Sequence, residues 1–368
     1  MKATRVRSRR VVLAVVLIGT SLAAGLAARQ LSENDWDPTL FVTFGEGAPE
    51  ITEYGEIALG REVIIRPRGG HDGKYFFVQA VDPWLLDPDG NISVVDRPLY
   101  RAQRMLYPVL AGGMGLFSPR IIVWAMLIVN ILAMGVGTWA VAELALDMGG
   151  SAWWGLSFLA NPGLMGELLI DGSGVVAAAA AFGAVLMIGR GDSRVALALI
   201  TCAALARESM LVVAFGTAIW AWTRGGRRLA VRIASIPTLA VAVWAVYIRL
   251  QAGIEEGFSQ IIGIGLPFVG LLETFEYRSL DVLHVVGRFG VLLLFVLYLR
   301  QAWRHRSLAL SWAFVGLVPL GLIATREVWA SYWDFTRAIA PLITALFLLF
   351  FVADRRDVNR PQVPSVVS

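Results

Sequence analysis

Four short stretches of this 368-residue chain hold carboxylates and arginines that could support group-transfer chemistry. They contain seven candidate site residues: Asp72; Arg101 and Arg104; Arg207 and Glu208; Asp334 and Arg337. A carboxylate can accept the proton of an attacking hydroxyl, and arginines can bind a phosphate and stabilise the negative charge that leaves with it. If they lie together at a membrane surface, such groups suit attack by a hydroxyl on a sugar that is attached to a lipid phosphate.

Asp72 and the arginines that follow it also have simpler explanations. The carboxylate of Asp72 could cap the N terminus of a helix. Arg97, Arg101 and Arg104 recur at spacings of four and three residues, so they share one face of a helix. Such a face could contact anionic lipid headgroups without any catalysis.

The two later pairs interrupt apolar sequence, where an ionisable group is costly unless it faces protein or water. Arg207 and Glu208 could form an internal salt bridge, and Asp334 and Arg337 could be interfacial charges at a helix end. All of these groups are predicted to lie on the same side of the membrane, together with three further ionisable residues: Glu167, Asp171 and Arg288. Charges without a shared role would not need to lie on one side.

Other kinds of site have little support in the sequence. No two of His71, His284 and His305 have the spacing of metal ligands, and Cys202 is the only cysteine. We therefore predict no transition-metal site, no disulfide and no cofactor. The chain has no G-x-x-x-x-G-K-[ST] phosphate loop, no H-E-x-x-H and no G-x-S-x-G.

The composition is that of a membrane protein. Hydrophobic residues make up 57% of the chain and charged residues only 16%, and the mean hydropathy is +0.65. The net charge of +4 is better explained by membrane orientation than by nucleic-acid binding. We predict an all-α polytopic protein with about ten transmembrane helices, of which the fifth and sixth are short. The predicted segments are 11–28, 121–143, 151–168, 173–189, 194–206, 209–223, 233–250, 282–300, 307–324 and 337–353.

The distribution of basic residues predicts the orientation. More than half of the 32 lysines and arginines fall in the first ten residues, in three short loops and in the C-terminal tail, all on one predicted side. The positive-inside rule then places both termini in the cytoplasm of a multi-pass plasma-membrane protein. Alternatively, the basic start and the sequence SLAAGLAA could form a cleavable signal peptide, which would leave the later topology unchanged.

The segment 29–120 is a long external loop that is predicted to lie over the membrane surface, because it is too polar for a core of its own. Within it, GGHDGKYFFVQAVDP predicts a helix that begins near Asp72 and ends at Pro83. A second helix is predicted from Asp96, as N-cap, through YRAQRMLYPVL. The aromatic run 75–77 suits interfacial anchors. The remaining parts of the chain are 1–28, with the first helix; 121–353, the multi-helix domain; and 354–368, a cytoplasmic tail.

Taken in order, four motifs resemble the GT-C superfamily of membrane glycosyltransferases, including bacterial mannosyltransferase-like enzymes that use polyprenyl-phosphate sugars. The motifs are HDGKYFFVQAVDP, DRPLYRAQRMLYPVLA, ALARESMLV and DFTRAIAPL. The resemblance implies a GT-C-like fold, a lipid-linked sugar donor, an envelope glycan, lipid or protein acceptor, and inversion at the anomeric carbon.

The resemblance also implies roles for individual residues. Family members carry an essential acidic residue in the first external loop, and Asp72 matches that position as the general base. Basic residues of later loops lie near the donor phosphate, which matches Arg207 and Arg337, followed by Arg101 and Arg104. Many members carry two neighbouring acidic residues in this loop, whereas Gly73 follows Asp72 here. The base could therefore instead be one of two other aspartates, Asp82 or Asp96.

Two other functions remain open. A transporter or flippase of lipid-linked intermediates would also combine many helices with buried charges, although the sequence has no internal repeat and no matched pair of interrupted helices. A non-catalytic subunit of an envelope-assembly pathway would use the same charges to bind its partners.

Overall fold

The computed structural model describes residues 2–67, 69–87, 90–252, 265–277 and 282–353, and these form an almost entirely helical protein. Within these ranges, four helices are long and apolar enough to cross a membrane: Arg9–Ser32, Pro119–Asp147, Arg227–Gln251 and His284–Arg304. Further apolar helices are shorter, such as Gly174–Gly189 and Ser193–Ala206. The all-helical membrane architecture predicted from the composition is confirmed at this level.

The first part of the chain contains one long helix and several short elements. The helices are α1 (Lys2–Ser32), α2 (Thr39–Val42), α3 (Pro49–Leu59), α4 (Gly73–Val81), α5 (Pro98–Arg101) and α6 (Leu106–Met114), with a 3-10 turn at Ile92–Val94. Strands β1 (Phe44–Gly45) and β2 (Ile65–Arg66) pair in parallel, with Phe44 opposite Ile65.

The second part is the helix bundle. Its helices up to α13 are α7 (Pro119–Asp147), α8 (Leu156–Leu159), α9 (Pro162–Leu169), α10 (Gly174–Gly189), α11 (Ser193–Ala206), α12 (Leu211–Thr223) and α13 (Arg227–Ala252), with 3-10 turns at Ala152–Gly155 and Glu208–Met210. The remaining helices are α14 (Val269–Tyr277), α15 (Val282–Arg304), α16 (Ala309–Ala313), α17 (Leu317–Leu322), α18 (Arg326–Trp329), α19 (Tyr332–Ala338) and α20 (Ala340–Phe351).

Three of the ten predicted segments are interrupted. The segment 151–168 contains a 3-10 turn, α8 and nearly all of α9; 307–324 divides into α16 and α17; and 337–353 is divided near Ile339. Proline explains part of this, since Pro162 begins α9 and Pro341 lies in the first turn of α20. Hydropathy alone could not locate these breaks, because the residues around them are as apolar as the helices.

The loop between α1 and α7 packs onto the bundle and shares its core. Phe76 and Phe77 are buried there, in edge-to-face contact with Tyr107 and Phe44. The prediction that the run 75–77 anchors the protein at the interface was therefore wrong for these two rings. The indole N–H of Trp244 in α13 donates to the carbonyl of Ala102 at 2.7 Å, which fixes the loop to a long helix.

The predicted second helix of the loop is broken. α5 starts after Arg97, whose backbone is left-handed (φ 49°), and it ends at Arg101; α6 begins only at Leu106. Asp96 is not the N-cap, because its carboxylate pairs with the guanidinium of Arg101 at 3.1 Å. Arg104 lies in this break, between the two helices.

The candidate site

Asp72 lies immediately before α4, and its carboxylate faces three arginines. Its Oδ1 is 2.7 Å from Nη1 of Arg101, and its Oδ2 is 3.4 Å both from Nη1 of Arg104 and from Nη2 of Arg337. The predicted helix start at Asp72 is confirmed, but the side chain makes no capping hydrogen bond. The simpler explanation of Asp72 as a cap is therefore wrong, because its oxygens are held by guanidinium groups instead.

The backbone places Asp72 through a tight turn. Gly70 has a left-handed φ of 65°, and a Cβ there would lie 2.1 Å from the carbonyl oxygen of Thr43. The backbone N–H of His71 donates to the same carbonyl at 3.2 Å. Only glycine fits this close approach, so the Gly69–Gly70 pair that breaks the preceding chain also sets the start of α4.

Arg104 connects Asp72 to the interrupted sequence at 207–208. Its Nε and Nη2 each lie 3.0 Å from one oxygen of the Glu208 carboxylate, which is a bidentate contact. Its Nη2 also donates to the hydroxyl of Tyr100 at 2.7 Å. Only 8% of the Arg104 side chain is exposed, so this arginine is not part of an exposed basic face.

Glu167 is a site residue that the candidate set missed. Its side chain is 2% exposed, and its Oε1 lies 2.9 Å from Nη1 of Arg207 and 3.0 Å from Nε of Arg337. Its Oε2 accepts the backbone N–H of Gly174 at 3.0 Å. The signal was present in the sequence, since a glutamate inside GELLIDGSG is an ionisable residue in an apolar stretch.

The last predicted pair completes the network. Arg337 reaches Asp334 at 3.1 Å, one helical turn away, while the same guanidinium contacts Asp72 and Glu167. Through Glu167, all seven predicted site residues belong to one continuous set of ion pairs, which we call the Asp72 network. Arg207 and Glu208 do not pair with each other as proposed above, because the extended backbone at Arg207 (φ −156°) directs their side chains to different partners.

Glycines allow the helices that carry the network to approach closely. A Cβ at Gly163 would lie 2.2 Å from the carbonyl oxygen of Thr336, so α9 contacts α19 through bare backbone. Asn161 caps α9 by accepting the N–H of Gly163, and its amide donates to the carbonyl of Ala340 at 2.7 Å. These contacts fix Glu167 of α9 opposite Arg337 of α19.

Several other predicted charges lie outside the network. Arg97 is exposed, and Arg288 lies 4.9 Å from the ring of Phe275. Of the two alternative bases, Asp82 accepts the backbone N–H of Asp87 at 2.8 Å, and Asp96 has a largely exposed side chain that pairs with Arg101. Asp96 therefore joins the network only through Arg101, and neither alternative base contacts an arginine other than Arg101 in the network.

Asp171 lies in different surroundings from Asp72. It is fully buried, with a left-handed backbone (φ 46°), and its Oδ1 is 3.4 Å from the hydroxyl of Tyr107. The amide of Asn130 donates to that hydroxyl at 2.9 Å. Among the described residues, Asp171 forms no ion pair, and Oδ2 of Asp171 and Oδ1 of Asn130 lack a hydrogen-bond partner. Burial therefore raises the pKa of Asp171 well above its ordinary value.

The ionisation of Asp72 is governed by the opposite balance. Burial alone would raise its pKa, but the charges of Arg101, Arg337 and Arg104 outweigh burial and hold the pKa well below its ordinary value. Asp334 keeps a raised pKa, because burial outweighs its contact with Arg337. At neutral pH the Asp72 carboxylate is therefore an anion inside a cationic shell.

A cavity of about 970 Å³ adjoins the network. Arg337 and Asp334 line it on one side, so the cavity and Asp72 share a guanidinium. Asp72 itself does not line it. The other lining residues include Thr43, Arg66, Gly70, His71, Gly166, His284, Ser331 and Trp333. The volume lies at the upper end of the range for small-molecule sites, which is ~300–1,000 Å³.

The arrangement has the parts needed for reaction at a phosphate ester. It provides an anionic carboxylate, several guanidinium groups and an adjoining cavity, all within one set of contacts. Within the described ranges, no group of three or more histidine, cysteine, aspartate or glutamate side chains is placed to hold a metal ion. Comparisons with protein-family models, with curated proteins and with solved structures give no match for this chain.

Proposed function

We propose that this protein is a membrane glycosyltransferase that moves a sugar from a polyprenyl-phosphate donor to an acceptor hydroxyl on the outer face of the plasma membrane. The proposal includes about ten membrane crossings with both termini in the cytoplasm. One observation carries it: the carboxylates and arginines selected from four distant stretches meet in a single network beside a large cavity. Incidental surface charges would have no reason to meet in this way.

The proposed reaction is an inverting displacement. The acceptor hydroxyl oxygen attacks the anomeric carbon, its proton passes to Asp72, and the bond from that carbon to the phosphate oxygen breaks. The electron pair leaves with the phosphate, whose charge is stabilised by guanidinium groups of the network. In this scheme Arg101, Arg104 and Arg337 bind the phosphate, and Glu167 orients Arg207 and Arg337.

The network also suggests how a strongly acidic aspartate could act as a base. Three arginines hold Asp72 in its anionic form, and a base with so low a pKa accepts protons poorly. An arriving phosphate competes for the same guanidinium groups. As the arginines turn towards it, the pKa of Asp72 rises towards the ordinary value, so donor binding would itself activate the base.

The test compares wild type with Asp72→Asn, each purified in lipid and matched for thermal stability. Transfer is measured from a panel of polyprenyl-phosphate sugars to extracted envelope acceptors. We expect transfer by wild type and a loss of about 10²- to 10⁴-fold in the variant, the usual contribution of a general base. Equal activity of the two proteins would keep the reaction class and remove the role of Asp72. No transfer by wild type with any donor would favour a transporter or a non-catalytic subunit.

A further inference from the structure

The cavity beside the network is lined in part by the aromatic ring of Trp333. Trp333 lines it with 48% of its surface exposed, although most large side chains of the network region are buried. The ring is held at the start of α19, where the hydroxyl of Ser331 accepts the backbone N–H of Trp333 at 3.3 Å. Asp334, the next residue, lies in the same first turn and is fixed by Arg337. The indole and a carboxylate are therefore held side by side at the cavity surface.

Another part of the cavity lining comes from the loop that precedes α4. Thr43, Arg66, Gly70 and His71 contribute to it, and the pairing of β1 with β2 holds the chain around Arg66 in place. The guanidinium of Arg66 donates to the carbonyl of Leu40 at 3.5 Å and forms no ion pair with any residue that the structure describes. Because this wall belongs to the segment between α1 and α7, the cavity lies on the loop side of the bundle.

This set of groups matches the surface of a sugar ring. A pyranose has an apolar face of C–H groups, which packs on a flat aromatic ring, and an edge of hydroxyls that both donate and accept hydrogen bonds. Trp333 offers the flat ring; Asp334 accepts hydrogen bonds, Arg66 donates them, and His71 can do either. A cavity lined only for a lipid chain would not need these polar side chains.

We propose that this cavity binds a carbohydrate, with Trp333 as the stacking surface, and that the acceptor in the transfer reaction is therefore a sugar hydroxyl. The identification of this carbohydrate as the acceptor rests on the proposed glycosyltransferase function. A lipid-linked donor reaches the network from the membrane, whereas the cavity is walled by the loop, which suits a molecule that arrives from outside. Arg337 borders both the cavity and Asp72, so an acceptor in the cavity lies next to the proposed base.

The first experiment compares carbohydrate acceptors with other alcohols. Purified protein in lipid nanodiscs receives polyprenyl-phosphate sugars as donors. The acceptors are manno-, gluco- and galacto-oligosaccharides, serine-containing peptides or long-chain alcohols. We expect transfer only to the oligosaccharides. Trp333→Ala should raise the KM for the acceptor about tenfold, equivalent to ~1.4 kcal/mol, and leave the donor KM within about twofold. Trp333→Phe retains a flat ring and should stay close to wild type.

Trp153 provides a matched control, since it is 52% exposed and lies just after the C-terminal end of α7, away from the residues that line the cavity. Trp153→Ala should change neither KM. Efficient transfer to peptides or alcohols, or an acceptor KM that is unchanged in Trp333→Ala, would overturn the carbohydrate site and leave the glycosyltransferase proposal standing.

A binding measurement separates the two proposals if no transfer is seen. Saturation-transfer NMR with the same oligosaccharides detects contact between protein and sugar without catalysis. A signal that is lost in Trp333→Ala and kept in Trp333→Phe supports the carbohydrate site even if the protein transfers nothing. The absence of any signal from wild type would overturn it.

Discussion

Asp72 and Asp171 are close neighbours with opposite electrostatic surroundings. Each is followed by glycine in the sequence, and Gly73 lies so near the turn before Asp171 that a Cβ there would be 2.6 Å from the carbonyl oxygen of Ile170. Three arginines surround Asp72, while Asp171 meets Tyr107 and lacks any charged partner among the described residues. One is held as an anion and the other as a neutral acid.

The difference shows that an apolar sequence context does not determine how a buried carboxyl group is used. An ionised group can be buried only where opposite charge and hydrogen bonds replace water. The network meets that condition with side chains from distant helices. At the Asp171 site the carboxyl group is instead protonated, because burial raises its pKa well above the ordinary value.

The largest effect on stability is expected from breaking the network at its most buried anion. Glu167→Gln leaves Arg207 and Arg337 without their shared carboxylate oxygen, and removing one partner of a buried ion pair typically costs ~3–5 kcal/mol. Thermal unfolding in lipid or detergent measures the loss.

The matched control is Glu143→Gln, near the C-terminal end of α7. Glu143 pairs with Arg190, whose side chain is 36% exposed, and an exposed pair contributes ~0–1 kcal/mol. If the two variants unfold at the same temperature, the network does not stabilise the fold, and the contrast between it and surface ion pairs fails.

A smaller effect is expected at Asp171, with a characteristic dependence on pH. Asp171→Ala removes the contact between this carboxyl group and the hydroxyl of Tyr107 and should cost ~1–3 kcal/mol, whereas Asp171→Asn is nearly isosteric with the neutral acid and should cost less.

The sign of the pH effect follows from the raised pKa of Asp171. A raised folded-state pKa contributes stability that is fully present below the unfolded value of about 4 and is lost as the pH rises through the folded value. Wild type should therefore lose stability relative to Asp171→Asn between pH 5 and pH 8. The lowered pKa of Asp72 acts in reverse: its stability contribution is present above about pH 4, so the effect of Asp72→Asn should be constant over this range. Thermal unfolding of the variants across pH distinguishes the two. A constant gap for Asp171→Asn would mean that Asp171 is ionised.

The smallest effect is expected at Arg97, which shares the predicted helix face with Arg101 but is exposed. Arg97→Gln should change stability by less than about 0.5 kcal/mol and leave transfer activity unaltered. Arg101→Gln removes the 2.7 Å contact with Asp72 and should reduce transfer strongly. Transfer activity is measured for both variants in parallel. Equal losses of activity in Arg97→Gln and Arg101→Gln would show that the two arginines act together, as a surface that binds lipid headgroups would.

Much of the site could be predicted because ionisable residues in apolar sequence are rare and costly. The Arg207–Glu208 pair and Arg337 were selected on that ground, whereas Asp72 was selected from its predicted helix start and from the family resemblance. The structure brings them together. Which charges pair could not be predicted. That depends on the break between α5 and α6, on the extended backbone at Arg207 and on the close approach of α9 to α19, none of which has a signal in hydropathy.

The fold, like the site, could be predicted only in part from the sequence. Long continuous helices such as α1, α7 and α13 were located to within several residues, because apolar runs of membrane-spanning length are a strong signal. The interrupted segments were not, and neither was the parallel pairing of β1 with β2, which involves only two residues of each strand. The buried positions of Phe76 and Phe77 depend on how the loop folds back onto α7, which is a tertiary property.

The contact between Asp72 and Arg337 joins positions that are 265 residues apart in the chain. A ribosome delivers the chain from its N terminus, so Asp72 and Glu167 are made long before the arginine that they share. Until α19 is made, Asp72 and Glu167 each lack one of the guanidinium groups that pair with them in the complete chain. The network therefore forms late in biogenesis. A chain stalled before α19 would carry both carboxylates without the arginine that joins them in the complete protein.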